Sequence, residues 1–361
     1  MRTAFTKACT FVVPYDFVRP EPTEICLSKM CMFQNEISIK PGRILPSIFS
    51  AYADRQSVDI QPDDAADEET EEQPMTAQTN HVPYRYRPVL FFFLTFLFTW
   101  IFWVPAIFVP EEAGALLMVL GLLAPAAVST AFVLLSGSKE LKLDLKNKLV
   151  GFYKVRWANV FLAVGVFALI VIASILLSLS FGQKLSQFSF TEDFSFSGVG
   201  IGSALITILL ASVIEEVGWK GYCEDSIGSY MNWFWEFLLF GAIWSFWHFP
   251  LIFIKGTYQA GLMVNPLYVV NFFVSGIPLG FIITWVYLAS DRSILACMIF
   301  HLFVNFMQEK IALTPETKCV ETLVVLAATA VIVRTNRDMF FETRHVGRLL
   351  EDMSASGKQE S

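Results

Sequence analysis

"VIEEVGWKGY" occupies residues 213–222, between "IGSALITILLAS" at 201–212 and "FWEFLLFGAIWSFWHFPLIF" at 234–253. Both flanks are apolar in the manner of segments that cross a bilayer, yet the stretch between them holds two adjacent carboxylates and a lysine. An ionisable side chain at membrane depth costs at least roughly 2.5–3.5 kcal/mol on insertion scales, so its presence there reads as function.

The rest of the chain supports the membrane setting. Of 361 residues 55% are hydrophobic, 35 are Phe, and the mean hydropathy is +0.53, more apolar than a soluble domain. Runs with few charges fall near 88–110, 113–136, 157–181, 198–223, 236–254, 265–289, 293–308 and 319–333. Lipid offers backbone groups no hydrogen-bond partner, so each run is expected to be a helix. The alternating pattern of a membrane barrel is absent. The expectation is an all-α, polytopic membrane bundle of about eight transmembrane helices.

Basic residues set the orientation. Arg85 and Arg87 precede the first run; Lys139, Lys142, Lys146, Lys148, Lys154 and Arg156 fill the second connection; Arg334, Arg337, Arg344 and Arg348 follow the last. With eight spans these share one side, which places both termini in the cytoplasm. Residues 1–87 lack helical or strand periodicity and carry the acidic run "DDAADEETEEQP" at 63–74, so they read as a disordered tail. No cleavable signal stands at the N-terminus, and Met75 opens a stretch that looks like an ordinary start, which would make the first 74 residues an upstream extension. The helical domain is expected over 88–335, with a cytoplasmic tail over 336–361.

Several chemistries lose their support. Six cysteines form no CxxC pair and no zinc-finger spacing. There is no GxxxxGK[ST] loop, no GxGxxG after a strand and no HExxH. The net charge of −7 comes largely from the acidic tail, and no nucleic-acid partner is expected.

The polar residues at membrane depth are few: Glu215, Glu216, Lys220, His248, His301, Asn305 and, nearer an edge, Asn271. At about 1.5 Å of rise per residue, Glu215 lies roughly 14 Å from Glu224, His248 roughly 18 Å from Glu236 and His301 roughly 14 Å from Arg292. Taking those three charges as interface markers brings three helices to one level. The count requires 224–235 to lie along the interface with Trp233 and Trp235 as belt residues; a helix starting at Met231 would lift His248 out of the site. Glu216 and Lys220 are four apart with the acid first, an intrahelical pairing, while Glu215 projects about 100° away and stays free. His301 and Asn305 are also four apart and share a face. A carboxylate, two imidazoles and an amide make a hydrolytic centre: the carboxylate takes a proton from water, a histidine holds that water, and the remaining donors stabilise an oxyanion. Trp219, Trp244 and Trp247 read as packing residues, and Asn271 as structural.

"EEVGWKGY", "WSFWHFPL" and "HLFVN" resemble the three motifs of the CAAX protease and bacteriocin-processing family of intramembrane proteases, which includes the type II CAAX prenyl endopeptidases. The likeness covers roughly 88–335, and "LLAPAAVSTAF" at 122–132 resembles that family's Pro-containing second helix. Two positions depart from the pattern. The first motif, EExxxR, ends here in Lys220, and the second, FxxxH, begins here with Trp244. Lysine keeps the charge and loses the planar fork.

The resemblance implies Glu215 as the base, His248 as its partner in holding water, His301 and Asn305 as the oxyanion site, and Glu216 with Lys220 as a supporting pair. It leaves two mechanisms open. One uses no cofactor; in the other Glu215, His248 and His301 hold a divalent metal such as zinc. The implied function is an intramembrane endopeptidase acting on a membrane-embedded or lipidated peptide or protein. The alternatives are a catalytically impaired scaffold, immunity or regulatory protein, motivated by Lys220, and a proton-coupled transporter.

Overall fold

The structure is a computed structural model that describes residues 84–151, 155–191, 204–342 and residue 346. Among these residues the elements are helical, joined by a lone antiparallel bridge between Phe190 and Ile311. Residues 1–83 of the tail expected over 1–87, the first six residues of the run at 198–223 and nearly all of the chain beyond 342 lie outside the described residues.

Among the described residues five helical stretches are long and apolar enough to cross a membrane: Pro88–Ala106, Glu111–Leu134, Trp157–Phe181, Trp233–Phe253 and Pro266–Ala289. The first is helix α1. The second comprises α2 (Glu111–Leu122) and α3 (Ala124–Leu134). The third contains α5 (Trp157–Ser178), the fourth α8 (Trp233–Trp247) and a 3₁₀ turn over Phe249–Phe253, and the fifth is α10. Three further helices stand where the sequence suggests spans: α6 (Ala204–Gly218), α11 (Ile294–Lys310) and α12 (Pro315–Thr335). Among the described residues α6 has 15 residues and α11 has 17, short of a span, and α12 carries Glu316, Lys318, Glu321 and Arg334. Helices α6 and α11 pack against each other, and α12 lies against α5 and α10, so their polar faces meet protein.

Two connections decide where the functional side chains stand. Pro125 near the start of α3 has no N–H to offer the carbonyl four residues back, Gly121, and the Thr99 hydroxyl of α1 donates to that oxygen at 3.1 Å. Trp247 Nε1 in turn donates to Thr99 Oγ1 at 2.8 Å, tying α8 to the same joint. On the other face of α3, Gly218 permits a close crossing, since a methyl there would come within 2.5 Å of Pro125 Cβ.

Helix α6 does not stop at the interface. It runs through a π-helical turn, Trp219–Cys223, into α7 (Glu224–Gly228). A π turn shifts the hydrogen-bond register and frees backbone carbonyls, and side chains from elsewhere take them here. Ser129 Oγ donates to Val217 O at 3.1 Å; Lys148 Nζ donates to Lys220 O at 3.1 Å and to Gly221 O at 3.0 Å. Lys148 belongs to α4 (Lys139–Val150), which Ser138 caps by accepting from Leu141 N–H.

The interface reading of 224–235 is corrected at this point. Glu224, Asp225, Ser226 and Glu236 are fully buried, so Glu224 and Glu236 are not surface markers, and the depths counted from them start inside the protein. Helix α8 opens at Trp233, where the Asn232 side chain accepts from Trp235 N–H. Trp233 is buried and Trp235 exposed. The last residues of the expected tail are packed as well: Tyr86 is buried, its carbonyl accepts from Tyr230 OH at 2.8 Å, and the Tyr84 and Tyr222 hydroxyls lie 3.0 Å apart.

Candidate active site

The four residues read as catalytic line one cavity of about 360 Å³. Glu215 comes from α6, His248 from the C-cap of α8, and His301 and Asn305 from one face of α11. Pro250, just past the end of α8, favours the change to a 3₁₀ turn that holds His248 at the helix end.

Each side chain is oriented by a neighbour. Glu215 Oε2 accepts from the Trp244 indole N–H at 3.0 Å and from Trp219 Nε1 at 3.4 Å. His248 Nδ1–H donates to Trp244 O at 2.9 Å, which leaves Nε2 as the other polar atom of the ring. His301 Nδ1–H donates to Glu216 Oε1 at 2.8 Å, again leaving Nε2. Asn305 Nδ2 donates to Ser212 Oγ at 3.2 Å, and the Ser212 hydroxyl in turn donates to Ile208 O at 2.9 Å. The Trp244 ring lies edge-on to both imidazoles, its centroid 5.3 Å from that of His248 and 6.4 Å from that of His301.

Glu216 and Lys220 stand outside the cavity lining, and they are not each other's ion pair. Lys220, 1% exposed, is paired with Glu224, whose other oxygen accepts from Thr284 Oγ1 at 3.4 Å. The Phe237, Phe240 and Tyr287 rings surround the ammonium with centroids 5.6–5.9 Å away. Glu216 belongs to His301, and its Oε2 is buried without a hydrogen bond among the described residues. Lys220 has an acid four residues away on both sides, so the helical spacing rule is equally satisfied by Glu216 and Glu224. Tertiary structure chooses: His301 claims Glu216 from across the bundle.

A second polar cluster lies beside this site. Arg292 reaches Asp144 with both terminal nitrogens, at 2.9 and 2.8 Å, and is paired with Asp225. Lys148 Nζ lies 2.6 Å from Asp225 and 3.2 Å from Asp144, and Tyr287 OH donates to Asp225 Oδ1 at 3.1 Å. Burial pushes the Asp144 carboxyl up, but Lys148 and Arg292 outweigh it and hold the group well below the usual carboxylate range. Asp291 and Arg292 both adopt left-handed backbone, with φ of 49° and 62°. That sharp turn between α10 and α11 aims the guanidinium at Asp144 and Asp225. The cluster thus ties α4, α7 and the start of α11 together next to the π turn.

Sequence reasoning missed three contributors to the site: Trp219 and Trp244 as donors to Glu215, and Ser212 as the support of Asn305. For Trp219 a signal was present, since it lies four residues after Glu215 on the same helix face. Asn271 lines the cavity and donates to Lys318 O at 3.3 Å. As for a metal, no three His, Cys, Asp or Glu side chains among the described residues gather closely enough to hold one.

A family description, "Type II CAAX prenyl endopeptidase Rce1-like", matches residues 197–307, the segment that holds all three motifs. The "CAAX prenyl protease 2" of Methanococcus maripaludis is 38% identical over 265 residues, covering 72% of this chain and 97% of that protein. The chain belongs to the CAAX prenyl protease family. This CAAX protease homologue is an integral membrane protein, as its apolar helices and its relatives agree. Of the residues in the CAAX protease motifs, Glu215, His248, His301 and Asn305 converge on the cavity and Glu216 stands behind it on His301; Asn305 alone of these five is held by a side chain outside the motifs, Ser212.

Proposed function

We propose that this protein is an intramembrane endopeptidase that hydrolyses a peptide bond in a prenylated or otherwise membrane-associated substrate. The observation that carries the proposal is the shared cavity: a carboxylate, two imidazoles and an amide from three helices face one space large enough for a peptide backbone. The name of the M. maripaludis relative, CAAX prenyl protease 2, supports the choice of a prenylated C-terminal segment as substrate.

In this reading Glu215 is the general base. Its Oε2 is occupied by two indole N–H groups, and no hydrogen bond within the described residues engages Oε1, which is left to take a proton from water. His248, with Nδ1–H committed to a backbone carbonyl, accepts a hydrogen bond from that water at Nε2 and holds it for attack. The hydroxide adds to the scissile carbonyl carbon. The oxyanion is met by the second N–H of Asn305 and by Nε2–H of His301, whose ring can hold a proton on each nitrogen because the Glu216 carboxylate accepts the hydrogen bond from Nδ1–H. Collapse breaks the C–N bond, and the proton on Glu215 passes to the leaving amine. The scheme is written with these side chains alone and without a metal. With eight spans, α6, α11 and α12 crossing too, and the basic connection at 139–156 on the cytoplasmic side, both termini are cytoplasmic.

The test is cleavage of a farnesylated peptide ending in a CAAX sequence by the full chain in lipid vesicles, for wild type and Glu215→Gln. Wild type releases the C-terminal fragment, and Glu215→Gln lowers the rate by about a thousandfold or more without lowering the amount of folded protein. Equal rates in the two would remove Glu215 from the chemistry.

A further inference from the structure

The tryptophan that departs from the FxxxH pattern does more than fill the space of a phenylalanine. Its indole N–H is the shorter of the two bonds to Glu215 Oε2, its carbonyl takes Nδ1–H of His248, and its ring lies edge-on to His248 and His301. One residue therefore touches the base and both histidines. Phenylalanine at 244 would supply the ring and the carbonyl but has no N–H.

We propose that Trp244 is a positioning residue of the hydrolytic reaction: its indole N–H fixes the rotation of the Glu215 carboxylate, so that Oε2 is spent on the protein and Oε1 is presented to the water. This rests on the proteolytic reading of the same cavity.

The physical need is specific to this site. Glu215 is 7% exposed in a cavity whose walls include Trp103, Phe272 and Leu279. A carboxylate among such residues has few donors to choose between, and the torsion about its last bond is broad. With both oxygens unfixed, either could turn to the substrate or to His301. Trp219 alone holds Oε2 at 3.4 Å, a long bond from the helix that carries Glu215 itself. Trp244 reaches across from α8, and because its carbonyl also sets His248, the base and the water-holding imidazole are registered to one another through a single residue. Hydrogen bonds to a charged acceptor are the strong ones, so losing this donor has a measurable consequence for the reaction.

The variant is Trp244→Phe in the full chain, reconstituted in lipid nanodiscs. Cleavage of the farnesylated peptide gives kcat lower by about tenfold or more, with KM within about twofold of wild type, because substrate binding is unaltered while the base is misaimed. Trp219→Phe with Trp244→Phe deepens the loss. In parallel, protein labelled with ¹⁵N at the indole nitrogens gives a Trp244 N–H resonance identified by its absence in Trp244→Phe. That resonance lies at the shift of a strong hydrogen bond in wild type and moves to that of a free indole in Glu215→Leu, a change that a packing role does not produce. A Trp244 resonance indifferent to Glu215→Leu, or a Trp244→Phe enzyme with wild-type kcat, overturns the proposal. Wild type that cleaves no prenylated peptide removes the proteolytic reading itself and the positioning role with it, a result distinct from two equally active proteins.

Discussion

Glu216 Oε1 lies 2.8 Å from His301 Nδ1, and the two come from helices α6 and α11, 85 residues apart in the chain. The carboxylate next to the base therefore serves an imidazole of the opposite helix and not the lysine one turn along its own. In the proposed reaction this makes Glu216 a support of the oxyanion donor, while Lys220 and Glu224 form a separate buried pair behind the site.

Glu216→Ala leaves His301 Nδ1 without its acceptor but leaves Lys220 paired. The expected outcome is a cleavage rate about tenfold to a hundredfold lower in protein that still folds. Glu216→Gln, which keeps an acceptor oxygen and loses the charge, falls between that variant and wild type. Rates normalised to the folded fraction from size-exclusion chromatography check this. A Glu216→Ala protein that fails to fold while Glu216→Gln is fully active would return Glu216 to a structural role.

Glu224→Ala has the opposite profile. Lys220 is 1% exposed, and removing one member of a buried ion pair costs roughly 3–5 kcal/mol, so the folded fraction falls steeply. Replacing both members, as Lys220→Met with Glu224→Met, recovers most of the loss, since an apolar pair suits the surrounding Phe237, Phe240 and Tyr287. The measurement is a double-mutant cycle on thermal unfolding in detergent. Additive losses, with no recovery in the double variant, would mean that the two side chains are not coupled.

Lys220→Arg restores the residue of the family pattern. A guanidinium can bond Glu224 and still offer an N–H toward Glu216, whose Oε2 is buried without a partner among the described residues. The expected result is cleavage at or above the wild-type rate. A loss of tenfold or more would show that the pocket behind the site is shaped for lysine.

The placement of the site was legible in the sequence because lipid makes its signal stand out: Glu215, His248, His301 and Asn305 are polar interruptions in apolar runs, and the convergence of three helices could be argued from them alone. Their partners were not. Lys220 has an acid four residues away in each direction, and one-dimensional spacing cannot say which of them a distant histidine will take. The tryptophans looked like packing because a ring in a membrane helix usually is, and, the i,i+4 spacing of Trp219 from Glu215 aside, nothing in the sequence shows where the indole N–H of Trp244 points. The level of His248 was reached from the wrong marker, Glu236, a carboxylate buried inside the bundle. The π turn at Trp219–Cys223 had no sequence signature at all, although the basic α4 that satisfies its carbonyls through Lys148 did.

Asp144 gives the clamp around that turn a pH dependence whose sign can be worked out. It is 4% exposed, and despite burial its two cationic partners, Lys148 and Arg292, hold it well below the usual carboxylate range in the folded protein. The unfolded chain takes up a proton near pH 3.9, while the folded chain resists it, so the contribution to stability is fully present above about pH 5 and is lost as the pH falls below about 4. Asp144→Asn keeps the volume and removes the charge. At pH 7 it unfolds at a lower temperature than wild type, by an amount equivalent to roughly 3 kcal/mol, and the gap narrows progressively as the pH falls below about 4, where the unfolded chain takes up the proton that the folded one still resists. Thermal unfolding of both proteins in detergent from pH 7 to pH 2 is the measurement. A gap that stays constant over that range would place the contribution of Asp144 in packing, and the clamp would then rest on Asp225, which Arg292 and Lys148 also hold.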